Sequence, residues 1–180
     1  GSYSVALAST PAADDVITVY VDGGAIVAAT VTLHNGVTTL SGVNLYQDHT
    51  IVRSESGTAV TAAHLNTANN ADTDITALYA DGVASLSVVA TKQVYIWTGA
   101  TLNSDVGGVG AGEFTIAGTV TTSTLTFFGG DVVITATGTL SPGTADVYVN
   151  GDFTNDGTFT HNNSDLHFLG SGIADFGVSP

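Results

Sequence analysis

The chain has 180 residues, 43% of them hydrophobic, and a formal net charge of -14 that comes from sixteen acidic and two basic residues. So few cations argue against binding to nucleic acid or anionic membranes, because both need several lysines or arginines on one face. The absence of cysteine excludes disulfide bonds and thiol catalysis, the length predicts one domain, and no apolar run reaches the ~20 residues that span a bilayer.

The first strand-like pattern lies at the N-terminus, where Tyr3, Val5 and Leu7 alternate with small residues. Period-two alternation predicts a half-buried strand. A proline and an Ala-Ala-Asp-Asp stretch then separate this strand from the rest. We therefore predict an N-terminal arm at residues 1–13 and one β-solenoid domain at residues 14–180. The arm either caps the first coil of its own domain, or completes a neighbouring subunit as a donor strand, or is a frayed tail.

From Val16 onward, short runs rich in Thr and Val alternate with turns rich in Gly and Asn, such as Asn35-Gly36. Residues 59–71 are the only stretch with helical character. Their apolar positions do not sustain a 3.6-residue period, so we expect a loop or one short turn there. Residues 105–112 are rich in glycine and are predicted to form a flexible insertion between coils.

A glycine followed by Ala or Thr and then an apolar position recurs at intervals of 19, 20 and 19 residues. The four glycines are Gly99, Gly118, Gly138 and Gly157. Strand-like runs precede each of them. A fixed period near 20 with two or three short strands per period predicts an all-β fold, a single β-solenoid (parallel β-helix) of coils of about 20 residues. A β-sandwich or jelly roll is the alternative, but neither fold requires such a glycine period.

Residues 150–172 contain the phrases Asn-Gly-Asp-Phe-Thr-Asn-Asp-Gly-Thr-Phe and Leu-His-Phe-Leu-Gly-Ser-Gly. They resemble the repeats of secreted bacterial β-helix surface proteins and adhesins. The resemblance covers mainly the C-terminal half of the chain. It implies a β-helix fold, a location outside the cell or at the cell surface, and a structural or adhesive role.

Two groups of residues are candidates for ligand binding. Tyr95 and Trp97 would form a glycan-binding strip if they share an outward face, and an apolar core row otherwise. Asn70, Asp72 and Asp74 offer oxygen ligands at alternate positions, as calcium loops do. The glycine of such loops is missing, so a solvated polar loop is the alternative. Ca²⁺ is the only cofactor that these residues suggest.

No residue is predicted to be catalytic. Lyases that act on acidic polysaccharides need cations to hold their substrate, and two basic residues argue against that class. A glycosidase acting through Asp72 or Asp74 is conceivable. Five of the fourteen aspartates, however, lie beside Gly or Asn, as turn residues do.

The leading hypothesis is therefore a non-enzymatic structural subunit of an extracellular filament or surface assembly. A solenoid has two unpaired ends, each a template for further strands. We expect Ile173 and Phe176 of the last coil to meet Tyr3, Val5 and Leu7 of the next subunit, and contacts of this heterologous kind generate filaments. The expected partners are further copies of the chain and, secondarily, surface glycans. The alternative is a glycan- or receptor-binding adhesin or phage tail-fibre module.

Overall fold

A computed structural model of the chain describes residues 4, 6, 9–37, 39–82, 85–107, 112–124 and 126–177. Nineteen strands and two helices lie within this part of the chain. The strands are β1 (Ala13–Tyr20), β2 (Ala29–Asn35), β3 (His49–Ser54), β4 (Val60–Thr61), β5 (Tyr79–Gly82), β6 (Ser85–Val88), β7 (Gln93–Ile96), β8 (Thr101–Asn103), β9 (Asp105–Val106), β10 (Glu113–Ile116), β11 (Thr119–Thr121), β12 (Thr126–Phe128), β13 (Val132–Ile134), β14 (Thr139–Ser141), β15 (Val147–Val149), β16 (Phe153–Asn155), β17 (Thr158–Phe159), β18 (Leu166–Phe168) and β19 (Ala174–Asp175). The helices are α1 (Ala62–Asn69) and α2 (Thr73–Thr76).

The strands stack into a β-solenoid of about 7 turns with 7% helix, which confirms the predicted fold. Sheet A has the order β1-β2-β3-β7-β10-β13-β16-β19, sheet B has β17-β14-β11-β8-β4, and sheet C has β18-β15-β12-β9-β6-β5. Each later coil adds one strand to each sheet. Successive coils therefore place residues about 20 positions apart in direct register, as Phe114 and Val132 are.

The N-terminal end of the solenoid is covered by elements that depart from this pattern. β1 pairs with β2 and β5 pairs with β6 in antiparallel fashion, at the edges of sheets A and C. At the edge of sheet B, β4 leads directly into α1. Strand Ala13–Tyr20 is thus the one that covers the first coil of sheet A. Tyr3, Val5 and Leu7 lie outside the described residues, so the division into arm and domain stays a prediction.

The expectation of a loop or single turn at residues 59–71 is wrong, because α1 occupies eight of these residues. Leu65 and Ala68 are buried in the core, and the Nδ1 atom of His64 accepts the backbone N–H of Thr61 at 3.2 Å. Burial of one face, rather than helical propensity, stabilises a helix this short. Within the described part of the chain, neither helix has the length and apolar character needed to cross a membrane.

The core consists of inward side chains stacked in rows along the solenoid. In sheet A, Val94, Phe114, Val132 and Phe153 follow one another in register, and none is more than 1% exposed. Burial of each such side chain stabilises the fold by about 1.5–3 kcal/mol. Because every coil buries its row only against its neighbours, stability depends on the contact between coils.

The repeated glycines lie where one coil approaches the next most closely. A Cβ atom at Gly138 would lie 2.0 Å from the carbonyl oxygen of Ile116, and one at Gly118 would lie 2.3 Å from that of Ala100. Gly99 differs, because it has open space around it and a φ of 84°. The period of the motif therefore reflects close backbone contact between coils as well as turn geometry.

The chain's two basic side chains hold residues 39–48 against the outer face of sheet A. Arg53 donates from Nη1 to the carbonyl oxygen of Gly42 at 2.7 Å, and the ammonium of Lys92 pairs with the carboxylate of Asp48. The outward threonines of β2 are buried beneath this segment. The first coils of sheet A are therefore covered on both faces.

Candidate functional site

The C-terminal end of the solenoid, which comprises β17, β18, β19 and residues 169–177, exposes both backbone edges and apolar side chains. Each of its three strands pairs with a described strand on one side. Phe168, Leu169, Ile173 and Phe176 are 40%, 54%, 71% and 57% exposed. Exposed strand edges with apolar neighbours are sites where further strands can add.

An aromatic cluster forms the floor of this end. The ring of buried Phe153 lies 5.9 Å from that of Phe168 and 5.7 Å from that of Phe176, and the latter two are 6.4 Å apart. Aromatic pairs at such distances stabilise one another beyond the area they bury. The structure thus places the predicted contact residues Ile173 and Phe176 at one exposed end of the solenoid.

Aspartate side chains connect each coil to the next at several strand starts. Asp131 accepts the amide of Asp152 at 2.8 Å, Asp152 accepts the amide of Ile173 at 2.7 Å, and Asp146 accepts the amide of Asp165 at 3.0 Å. The donors are 19 to 21 residues beyond the acceptors. We call these acceptors, together with Asp105, the carboxylate row.

Asp105 makes the most bonds in the carboxylate row. Its Oδ1 atom accepts the amides of Ser123 and Thr124 at 2.6 and 3.1 Å, and both hydroxyl groups also donate to its carboxylate. Residues 105–112 were expected to form a flexible insertion, but Asp105 and Val106 form β9. That expectation is wrong for these two residues, because a carboxylate there satisfies two amides of the next coil.

The hydrogen bonds to Asp105 and Asp146 favour the charged form of these two aspartates. The pKa of Asp146 lies below its ordinary value, chiefly because the amide of Asp165 donates to it, with His167 adding to the effect. For Asp105, burial raises the pKa, but the hydrogen bonds from Thr124 and Ser123 together outweigh burial, so the pKa is lowered.

The carboxylate row was not predicted from the sequence. Asp131 and Asp152 follow a glycine and were assigned to turns, Asp105 was placed in the predicted insertion, and Asp146 was not singled out. The available signal was their spacing. Asp131 and Asp152 are 21 residues apart, Asp146 and Asp165 are 19 apart, and each precedes a strand-like run.

Two clusters of side chains have the composition of metal sites. Asp146, Asp165 and His167 bring ligand atoms within 4.8 Å of one another, and the ring of Tyr148 stacks on that of His167 at 4.8 Å. Carboxylate and imidazole together suit zinc and related ions. Tyr148 and His167 lie in register on β15 and β18, and Asp146 and Asp165 directly precede these two strands, so the four side chains lie close together.

The second cluster contains two of the three residues predicted to bind calcium. Ligand atoms of Asp72 and Asp74 lie within 4.8 Å of one another and of Asp22, a residue in the turn after β1. Three carboxylate oxygens at this distance are the ligand type that Ca²⁺ prefers. Asp22 was missed because some 50 residues separate it from the other two, and nothing local in the sequence connects them.

The carboxylates of the second cluster already accept hydrogen bonds from the protein itself. The amide of Asp74 donates to Asp72 at 2.8 Å and that of Gly23 donates to Asp74 at 2.7 Å. Burial, followed by the negative charge of Asp72, raises the pKa of Tyr20. Asn70, the third predicted ligand, ends α1 and donates from its side chain to that of Asn66. Calcium binding stays a prediction.

Tyr95 and Trp97 share the outward face of sheet A. They alternate with buried Val94 and Ile96, and their ring centroids are 5.9 Å apart in an edge-to-face arrangement. Both are half-buried, and the guanidinium of Arg53 lies 5.8 Å from the centre of the indole. Trp97 also packs against the hydrophobic core, so glycan binding stays a prediction.

No family model, no curated protein and no solved structure matches this chain. The side chains and strand edges described above are therefore the basis for a functional proposal.

Proposed function

We propose that the protein is a non-enzymatic structural subunit of an extracellular filament or surface assembly, which polymerises head-to-tail by strand addition. The observation that carries the proposal is the C-terminal end, where strand edges that no described strand pairs with surround the exposed Phe168, Ile173 and Phe176. A parallel strand added there would continue the ladder and cover these side chains.

The covered N-terminal end favours an arm over direct stacking of coils. Antiparallel β1 and β5 and helix α1 lie where a parallel ladder would have to continue. Because β1 already covers the first coil of sheet A, the arm residues that precede Ala13 are not needed for that role and can join a neighbour. Its alternating Tyr3, Val5 and Leu7 have the pattern of an added strand.

The absence of an enzymatic role is part of the proposal, and the use of the carboxylates supports it. The carboxylate row binds backbone amides of the next coil, and Asp72 accepts bonds from Tyr20 and from the amide of Asp74. The extracellular location rests on the resemblance of residues 150–172 to surface-protein repeats.

Deletion of residues 1–10 tests the proposal. Negative-stain electron microscopy of the purified chain should show filaments that the deletion abolishes. A matched control replaces Ser4 and Ala6, on the other side of the alternating pattern, and should leave the filaments intact. Filaments of normal length after the deletion, or a chain that stays monomeric before it, would contradict the proposal.

A second function, glycan binding, is favoured by the outward pair Tyr95 and Trp97. Half-exposed aromatic rings contact the apolar faces of sugars through the same stacking that pairs aromatic side chains. A glycan array should show binding that Trp97→Ala abolishes and Tyr46→Ala, at a 51% exposed ring elsewhere, leaves unchanged. Equal binding by both variants would count against this function.

A further inference from the structure

We infer that the C-terminal end binds residues 4–7 of a second copy as the next strand of sheet C, with Asp165 accepting the amide of Ser4. This inference rests on the proposed function, since it names the residues that would join one subunit to the next.

Sheet C shows how one coil receives another. The amide of Asp165 donates to Asp146 at 3.0 Å. The following residue, Leu166, lies in register with Val147, and both side chains point inward. The second inward position comes two residues later, at Phe168. A strand that adds to sheet C therefore needs four residues in a fixed order. The first has a free amide, the second and fourth are apolar and point inward, and the third points outward.

Asp165 repeats the position of Asp146 one coil later. It is exposed, and its carboxylate accepts no hydrogen bond from the described residues, although ligand atoms of Asp146 and His167 lie within 4.8 Å of it. Beside it, Phe168 is 40% exposed at the free edge of β18. A further strand would provide the amide that the carboxylate lacks and would cover the ring. Hydrogen bonds to charged acceptors are among the stronger ones in proteins.

Residues 4–7, Ser-Val-Ala-Leu, have the required order. With the first residue opposite Asp165, the valine and leucine side chains take the inward positions above Leu166 and Phe168. The alanine takes the outward position. The described residues of this segment are exposed, as an unpaired strand would be.

Charge favours residues 4–7 of a second copy over the edge strand β1 of that copy as the added strand. Residues 1–13 carry no charged side chain, although the net charge of the chain is -14. The edge of β1 carries Asp14 and Asp15, which would bring further negative charge to an end that already holds Asp165 and Asp175. Like charges placed opposite each other across a sheet destabilise pairing.

Aspartate substitution gives the first test. Asp165→Ala should raise the concentration needed for polymerisation, measured by sedimentation velocity, about tenfold to a hundredfold, since one bond to a charged acceptor is lost. Asp156→Ala, at an exposed carboxylate of the preceding stretch, should leave it unchanged. Circular dichroism checks that both variants fold, and Asp165→Asn, which keeps an acceptor oxygen, should lose less than Asp165→Ala.

Cross-linking gives the second test, because the natural chain has no cysteine. In the inferred register, Ala6 of one copy lies beside His167 of the next. A mixture of Ala6→Cys and His167→Cys chains should form a covalent dimer with a short bismaleimide. A mixture of Ala6→Cys and Asp175→Cys, at the edge of sheet A, should not.

The outcomes separate this inference from the proposed function. If deletion of residues 1–10 abolishes filaments but Asp165→Ala behaves like Asp156→Ala, the arm joins subunits elsewhere and this inference is wrong. Preferential cross-linking to Asp175→Cys would also overturn it, because the strand would then extend sheet A. If the deletion leaves filaments unchanged, both proposals are wrong.

Discussion

The substitution Gly138→Ala should destabilise the solenoid strongly, although it adds a single methyl group. The new Cβ atom would lie 2.0 Å from the carbonyl oxygen of Ile116 and 3.1 Å from a methyl group of Ile134. Because such a contact needs more than 3 Å, the two coils must separate by about 1 Å. That separation stretches the bond from the amide of Thr139 to the carbonyl of Gly118, which is 2.8 Å long.

Overpacking of this kind costs about 1–3 kcal/mol, and a weakened backbone hydrogen bond adds about 1 kcal/mol. We therefore expect the free energy of unfolding to fall by about 2–4 kcal/mol, measured by urea denaturation followed by circular dichroism. The matched control is Gly24→Ala, where the nearest atom to the new Cβ is 3.4 Å away. It should change stability by less than about 0.5 kcal/mol. Equal midpoints for the two variants would refute the close-contact explanation of the motif.

Three further predictions concern the side-chain contacts. Asp105→Ala should lower the free energy of unfolding by about 1–3 kcal/mol, because the amides of Ser123 and Thr124 lose a charged acceptor; Asp156→Ala should have almost no effect in the same urea titration. The pKa of Asp105 is lowered in the folded state, so its contribution to stability is fully present above the unfolded value of about 3.9 and is lost as the pH falls through the lower folded-state pKa. Asp105→Asn should therefore flatten the dependence of stability on pH in the acid range below about pH 4, and an unchanged slope would contradict this. Arg53→Met should increase hydrogen exchange of residues 39–48 about tenfold, since it removes the donor to the carbonyl of Gly42. Exchange as slow as in the unmodified chain would contradict a role of Arg53 in holding this segment.

The solenoid could be predicted because the repeated glycines show the length of each coil directly in the sequence. Gly118 and Gly138 each lie directly against the backbone of the preceding coil, so a larger residue at either position would clash and the glycines recur once in each coil. Coils that contain an insertion, such as the one with α1, lack this regular glycine spacing. The segment that contains α1 was misjudged because its stability comes from burying Leu65 and Ala68 under the core, a tertiary effect that its own periodicity does not show.

The candidate site was predictable only where it depends on local pattern. Tyr95 and Trp97 could be placed on one face because residues two apart in a strand point the same way. The meeting of Asp22 with Asp72 and Asp74 depends on how the turn after β1 folds towards α2, and no local pattern connects them. The carboxylate row depends on the register between coils, which is known only once the number of residues in each coil is known.

Both basic residues of the chain hold residues 39–48 in place. This affects the electrostatic interaction between two solenoids that lie side by side. Arg53 and Lys92 are committed within their own subunit, so no lysine or arginine is left to pair with the aspartates of a parallel neighbour. The long faces of adjacent molecules therefore repel each other over about one Debye length, ~8 Å at physiological ionic strength. In the proposed filament, attraction between subunits comes from the uncharged arm and the apolar C-terminal end. If such filaments form, they should stay single in dilute buffer and gather into bundles when salt screens their sides.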